Sequence, residues 1–208
     1  MRSPALQLNT PWRHGRRSLA RTATSVALCL AVLAACAEGG STISRNRLYG
    51  RYDVTEVQWG AGGGRDFAVV VRNNPTAMPD AEFEKTVINA IQGQITYMIT
   101  NFTTTPGETA RGQYRVEFFF DPPETTNGFA LCNPERELAE PVARPGETFV
   151  LGPFCLRDAP LSEAFGRRAG AAPGTPEFDR LMSQLIRSLL PQVHRGRRSP
   201  RCRPPMIC

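Results

Sequence analysis

The sequence predicts an α+β domain, a two-layer fold in which an antiparallel or mixed sheet packs against two helices. Three patterns support this fold class. Residues 67–71 are an apolar run typical of a buried strand, and residues 114–120 alternate between apolar and polar side chains. Two later stretches, 79–101 and 175–190, repeat apolar residues at intervals of three and four, as amphipathic helices do.

A first strand is expected over residues 49–59, where aromatic and β-branched residues are interrupted by charges. The glycine-rich residues 60–64 then form a hairpin loop, and residues 67–71 form a central strand covered on both faces. The first helix begins at Pro79-Asp80 and is expected to run to about Asn101, although Gly93 weakens its middle.

The strand over 114–120 has one apolar face, and the charged residues of its other face are expected to be solvated. Residues 122–146 follow, with five prolines and two glycines. Loops of this length are usually functional or unordered unless something ties them down. A short strand is expected at 148–151. Residues 157–174 are expected to be irregular with one helical turn near Ser162, and a second helix starts at Thr175-Pro176 and stops at Pro191.

The N-terminal 35 residues have the pattern of an export signal. Five arginines and no acidic residue precede an uncharged run, 22–35, which is too short for a permanent membrane-spanning helix. The run ends in Leu33-Ala34-Ala35-Cys36, which resembles the lipobox of bacterial lipoproteins. This resemblance implies cleavage before Cys36 and lipidation of its sulfur and new amino group. The alternative is a plain secretory signal, with Cys36 an ordinary cysteine.

The resemblance also implies a location. Lipoproteins of this kind are retained in the inner membrane when aspartate follows the cysteine. Here Ala37 and Glu38 follow it, so the periplasmic face of the outer membrane is expected and the inner membrane stays possible. Residues 36–47, small and polar, are expected to be a flexible tether between the lipid and a single domain at 48–192.

The net positive charge of the chain comes from its two ends. The formal net charge is +6, but residues 36–193 contain fifteen basic and nineteen acidic residues. Nucleic-acid binding needs a basic stripe on a folded face, so it is not expected for this mildly acidic body. The basic tail at 193–208 is expected to be an unordered solvating segment, with attraction to anionic lipid head groups as the alternative.

Four cysteines remain after Cys36, and an oxidising compartment favours disulfides among them. Four cysteines allow three connectivities. The pairs that lie closest in sequence are favoured, which joins Cys132 to Cys155 and Cys202 to Cys208. None of these spacings is typical of a redox enzyme or a zinc site, so no metal and no cofactor are expected.

Catalytic chemistry has few candidates in this chain. His14 falls in the signal and His194 beside the tail, which disfavours histidine-based catalysis and zinc binding. The carboxylate pairs Glu117/Asp121 and Asp53/Glu56 are close enough in sequence to consider for acid–base work. A solvated strand face is the more economical explanation for the first pair.

A second, less specific resemblance is carried by residues 66–75 and the helix after them. They look like uncharacterised proteobacterial envelope lipoproteins, and this likeness implies no activity. The leading hypothesis is therefore a non-catalytic, lipid-anchored module that contacts another envelope protein. The second hypothesis is a binding module for a lipid or small ligand held between the long helix and the sheet. Carboxylate-based hydrolysis ranks last.

Overall fold

The computed structural model describes residues 40–194. The expected signal peptide at 1–35, Cys36, and Cys202 and Cys208 of the tail all lie outside these residues. The described elements are, in chain order, β1 (Thr42–Leu48), α1 (Val54–Ala61), β2 (Asp66–Arg72), α2 (Asp80–Ile91), β3 (Asn101–Thr103), β4 (Tyr114–Phe120), α3 (Gly128–Cys132), β5 (Glu147–Leu156), β6 (Ala159–Ala169) and α4 (Pro176–Leu189).

These elements form an α+β fold around one mixed six-stranded sheet, which confirms the predicted class. The strand order is β1-β6-β5-β4-β2-β3. The pairs β1–β6, β6–β5 and β5–β4 are antiparallel, whereas β2 runs parallel to both of its neighbours, β4 and β3. A crossover through α2 makes the parallel arrangement possible, because parallel strands cannot be joined by a tight hairpin.

One face of the sheet carries the main core. Helices α1, α2 and α4 place their apolar sides on it, and the predicted apolar stripes of α2 and α4 supply much of the packing. Fully buried members include Phe67 on β2, Phe154 on β5 and Leu185 on α4. The rings of Phe67 and Phe154 meet edge to face with centroids 5.7 Å apart. This arrangement adds favourable aromatic geometry to the burial of apolar area.

The start of the domain differs from the prediction. Residues 42–48 are an edge strand paired antiparallel with β6, so the tether expected over 36–47 is wrong from Thr42 onward. Most side chains of β1 are exposed, and only Ile43 and Leu48 pack against the core. An edge strand with one partner needs few apolar residues, which explains why its small polar sequence resembles a tether.

The strand expected over residues 49–59 is wrong, because most of this stretch is helix α1. The carboxylate of Asp53 caps the helix by accepting the backbone N–H of Thr55. Val54, Val57 and Ala61 are buried, as expected for one helical face rather than for an alternating strand. Consequently β2 is not joined to a preceding strand by a hairpin, and it lies one position from the sheet edge.

Helix α2 begins as predicted but ends at Ile91 instead of near Asn101. Gly93 has a backbone φ of +73°, in the left-handed region that glycine adopts without strain. The side chain of Gln92 then replaces helical hydrogen bonds: it donates to the carbonyl of Thr100 and accepts the backbone N–H of Phe102. The apolar residues beyond the glycine therefore continue into a loop and into β3.

The irregular stretch and helical turn expected over 157–174 are also wrong, because β6 occupies residues 159–169. Arg157 and Asp158 form the tight turn from β5, and Arg157 has a left-handed backbone. Both faces of β6 are covered through its middle, where Ser162 and Glu163 are buried. A strand covered on two sides loses the alternating pattern by which a strand is predicted from sequence. Strand β5 extends from 147 to 156, and α4 matches its prediction.

The long segment 122–146 packs on the second face of the sheet. Leu131 on α3 joins Phe119 and Leu151 in a small buried cluster there. Cys132, the last residue of α3, forms a disulfide with Cys155 on β5, with Cα atoms 5.5 Å apart. The predicted pairing of these two cysteines is confirmed, and it ties the proline-rich segment to the sheet.

We predict that Cys132→Ser together with Cys155→Ser lowers the free energy of unfolding by about 3 kcal/mol or less, because the unfolded chain regains the entropy of a 23-residue loop. Segment 122–146 should become the first protease site. Urea titration and limited proteolysis with mass mapping check both effects.

The matched control is the double variant Cys202→Ser with Cys208→Ser, which should change neither quantity. An unchanged cleavage pattern in the first variant would show that noncovalent contacts alone hold the segment.

Candidate functional site

A cavity of about 350 Å³ opens at the end of the sheet where β4 finishes. This volume lies in the range of small-molecule binding sites. The wall is formed by the C-terminal end of β4, the start of β5, the first turns of α2 and α4, and three loops. Its lining residues are Pro75, Thr76, Phe83, Phe120, Asp121, Ala143, Arg144, Pro145, Gly146, Glu147, Thr148, Gly170, Ala171, Ala172, Pro173 and Phe178.

Three phenylalanine rings from three different elements form the apolar wall. Phe83 on α2 meets Phe120 on β4 edge to face, with centroids 4.8 Å apart, and Phe178 on α4 stacks on Phe120 at 6.2 Å. All three side chains are almost fully buried. The wall is therefore a continuation of the core, held in place by the contact between the two helices and the sheet.

Asp121 supplies a carboxylate to this otherwise apolar wall. It is the first residue after β4, its backbone φ is +51°, and only 6 % of the residue is exposed. Aspartate and asparagine are among the few side chains that tolerate this left-handed backbone. Burial raises the pKa of Asp121 above its usual range, while nearby Arg144 and backbone N–H groups of Phe149 and Arg144 act in the opposite direction.

Arg144 lies beside Asp121, and each of its terminal nitrogens donates a hydrogen bond within the protein. Its guanidinium lies over the Phe149 ring, 4.4 Å from the centroid. One terminal nitrogen donates to the carbonyl of Val142 and the other to the carbonyl of Pro122. Arg144 therefore ties the cavity-lining loop to the residues just after β4, and its two terminal nitrogens are not both free to bind a ligand.

Glu117 lies on the second face of the sheet and is fully buried, so the prediction of a solvated strand face is wrong at this position. Its two carboxylate oxygens each accept a bond of 2.6 Å, one from Nε of Arg72 and one from Nε of Arg115. Two charge-assisted bonds compensate for the cost of burying the carboxylate. With both oxygens engaged, Glu117 serves as a structural anchor for the two arginines.

Arg115 also connects Glu117 to the segment that contains Cys132 of the disulfide. Its terminal nitrogens donate to the carbonyl of Cys132 at 2.6 Å and to the carbonyl of Arg157 at 2.7 Å. The second face also has a cavity of about 410 Å³ beside this pair of ion bridges. It is lined by Val70, Arg72, Arg115, Glu117, Pro134, Arg157 and Asp158.

The two carboxylates predicted as a pair line different cavities, because Glu117 lies on the second face and Asp121 lies at the end of β4. The other predicted pair is also structural. Asp53 caps α1, and Glu56 accepts a hydrogen bond from the Tyr114 hydroxyl at 2.6 Å. Burial, assisted by this bond to Glu56, raises the pKa of Tyr114 to about 12.

Glu163 is a buried acid that the sequence patterns do not reveal. Its Oε2 accepts the backbone N–H of Gly128 at 2.8 Å, at the start of α3. A Cβ on Gly128 would lie 2.8 Å from the same oxygen, so only glycine permits this approach. The contact gives segment 122–146 a second attachment to the sheet, independent of the disulfide.

His194 contacts the body of the domain, whereas the sequence predicts a tail from residue 193 onward. Its Nδ1 lies 3.5 Å from the carboxylate of Asp53, and the carbonyl of neighbouring Val193 accepts the backbone N–H of Val54. The tail therefore begins later than residue 193. Within residues 40–194, no cluster of three acidic, cysteine or histidine side chains is arranged to hold a metal ion. No helix in this range is long and apolar enough to cross a membrane.

Comparisons with known proteins add little. No family model matches the chain, and no curated protein matches it. Two crystal structures of the PelC dodecamer from Paraburkholderia phytofirmans, the first of a point variant, are similar at 16 % identity, with TM-scores of 0.38 and 0.39. Each alignment covers 73 % of this chain and 98 % or 97 % of the PelC chain. A likeness of this size carries no conclusion about function.

We predict that Glu117→Gln lowers the free energy of unfolding by on the order of 3 kcal/mol, because two partly buried guanidinium groups lose their shared carboxylate. Glu137→Gln, an exposed substitution in segment 122–146, is the control and should stay within about 0.5 kcal/mol of wild type. Urea unfolding of wild type, Glu117→Gln and Glu137→Gln measures the free energy of unfolding of each. Equal losses in the two variants would contradict the structural role of Glu117.

A second prediction concerns the pH dependence of Asp121→Asn. Because the pKa of Asp121 is raised in the folded protein, the folded carboxyl binds its proton more tightly than the unfolded one. Wild type should therefore lose stability relative to the variant as pH rises above about 4, until the folded carboxyl is ionised.

Urea titrations of both proteins at several values between pH 4 and pH 7 measure this difference. A difference that stays constant, or that changes in the opposite direction, would contradict the assignment of a raised pKa to Asp121.

Proposed function

We propose that this protein is a lipid-anchored lipoprotein on the periplasmic face of the outer membrane, where its domain serves as a non-catalytic module that contacts another envelope protein. The observation that carries the proposal is the export signal ending in Leu33-Ala34-Ala35-Cys36. The Cys132–Cys155 disulfide supports it, because such bonds persist in oxidising compartments.

The short distance in sequence between the anchor and the fold has a physical consequence. Cys36 lies six positions before Thr42, the first residue of β1. Six residues span about 20 Å at most, so the domain would stay close to the membrane surface. A partner would therefore be another protein of the envelope, and the mildly acidic body argues against nucleic acid as the partner.

A second candidate function is the binding of a small ligand, which the cavity beside Asp121 favours. The cavity lies beside the first turns of α2 and α4 at one end of the sheet. Carboxylate-based hydrolysis stays the weakest proposal, because both oxygens of Glu117 are engaged by arginines and Asp121 lines another cavity.

The proposal predicts that wild-type protein incorporates labelled palmitate and fractionates with the outer membrane. Cys36→Ser should abolish labelling and leave a soluble form or an uncleaved precursor, because the thiol that accepts the lipid is gone. Cys202→Ser is the control and should label as wild type does. Crosslinking in membranes should recover an envelope partner with wild type and not with Cys36→Ser.

Labelling of Cys36→Ser together with its recovery in membranes would show that the lipobox interpretation is wrong. Labelled wild type in the inner membrane would overturn only the choice of membrane.

A further inference from the structure

The cavity on the second face of the sheet has a wall that a ligand can reach. It lies where β2, the turn between β5 and β6, and Pro134 of segment 122–146 meet. Its volume of about 410 Å³ is in the range of small-molecule binding sites. Arg157 and Pro134 are exposed, Val70 is partly exposed, and the Arg72 side chain is 37 % exposed. The side chains that line this cavity are therefore accessible and do not belong to the closed core.

Arg72 presents unused hydrogen-bond donors to this cavity. Its Nε donates to Oε2 of Glu117 at 2.6 Å, and the Glu117 side chain is fully buried. The two terminal nitrogens of Arg72 have no hydrogen bond or ion pair with any residue in the described range 40–194. The buried acid thus holds the guanidinium in place while its terminal nitrogens stay available. Two such nitrogens in one plane match the two oxygens of a carboxylate.

Arg157 brings a second guanidinium to the same wall. Its backbone N–H donates to the carbonyl of Gln113 at 2.6 Å, and its carbonyl accepts a bond of 2.7 Å from Arg115. These two bonds hold the turn between β5 and β6 against the start of β4. The Arg157 side chain has no hydrogen bond or ion pair within the part of the chain that the structure describes. It is therefore available to a ligand beside Arg72.

The residues that line the cavity carry a surplus of one positive charge. Arg72, Arg115 and Arg157 supply three guanidinium groups, and Glu117 and Asp158 supply two carboxylates. Glu117 is shared by two of the arginines, and each of its oxygens already accepts a bond. Even when Asp158 is counted against Arg157, the group formed by Glu117 and its two arginines keeps one positive charge.

We propose that this cavity binds the carboxylate of a small organic acid, with the carboxylate at the terminal nitrogens of Arg72 and its organic part over Val70 and Pro134. Arg157 supplies a second positive charge beside the carboxylate. A cation would meet like charge, and a neutral ligand would form no bond assisted by two charges. The lipoprotein proposal makes no use of this cavity, so either proposal can fail without the other.

Three probes of nearly equal size and shape separate these possibilities: 4-fluorobenzoate, 4-fluorobenzamide and 4-fluorobenzamidine, which are an anion, a neutral molecule and a cation. Each is titrated with the mature protein in nonionic detergent at about pH 7 and low salt. The fluorine NMR signal of the probe reports binding, and detergent alone supplies the background. The benzoate should bind at least about fivefold more tightly than the benzamide, and the benzamidine should bind most weakly. A smaller ratio, tighter binding of the benzamidine than of the benzamide, or no binding of the benzoate would overturn the proposal.

Substitutions of arginine test the contacts. Arg72→Gln removes the guanidinium and should weaken benzoate binding about tenfold while leaving benzamide binding within about twofold. Arg72→Lys keeps the charge but replaces the planar fork by one ammonium group, so it should recover only part of the lost affinity. Arg51→Gln removes the same charge from an exposed position outside the cavity and should bind benzoate as wild type does. Equal losses in Arg51→Gln and Arg72→Gln would show general attraction of the anion to the protein and would overturn the site.

Arg72 also supports the buried Glu117, so the thermal unfolding of each variant is recorded first and a variant with the opposite expected effect is included. Asp158→Asn removes a carboxylate from the cavity wall in a turn that tolerates asparagine. It should tighten benzoate binding about threefold, because a like charge is removed, and leave benzamide binding unchanged. A folding defect does not tighten binding, so this variant tests the site even if Arg72→Gln unfolds. Unchanged or weaker benzoate binding in Asp158→Asn would overturn the placement of the carboxylate in this cavity.

Discussion

The covalent bond between Cys132 and Cys155 determines what the second face of the sheet becomes. Without a cover, this face would expose a strand residue such as Glu117 to water. The disulfide holds α3 and its proline-rich segment against β4 and β5, and Arg115 then links Glu117 to the carbonyl of Cys132. The buried ion pairs depend on the cover, because charge-assisted bonds are strengthened where water is excluded. Glu163 supplies a second polar attachment.

The sequence predicts those elements whose pattern agrees with their surroundings in the fold. Helix α4 has a threonine cap, a first-turn proline and one continuous apolar stripe, and it was predicted nearly to the residue. Strand β6 was missed because both of its faces are covered and its polar residues are buried. The aromatic and β-branched residues of helix α1 favour a strand by propensity, but the cap at Asp53 and the packing of one helical face against the core make this stretch a helix.

The candidate sites are harder to predict from the sequence than the helices and strands are. The disulfide could be predicted from compartment and spacing, but the burial of Glu117 depends on a segment that approaches from elsewhere in the chain. The cavity wall combines Phe83, Phe120 and Phe178, which come from three separate elements of the chain. Of these three phenylalanines and Asp121, Asp121 alone stands out in the sequence, because it is an acidic residue directly after a predicted strand. Such a signal does not separate a solvated acid from one that lines a cavity.

Disulfide mapping by mass spectrometry on the mature protein, digested without reduction, shows whether a covalent bond holds the cover on the second face. We expect one peptide pair joining Cys132 to Cys155 and none joining either of them to the tail. Free thiols at both positions, or a link from Cys132 to Cys202 or Cys208, would contradict it. Either result would mean that the Cys132–Cys155 disulfide does not tie segment 122–146 to the sheet.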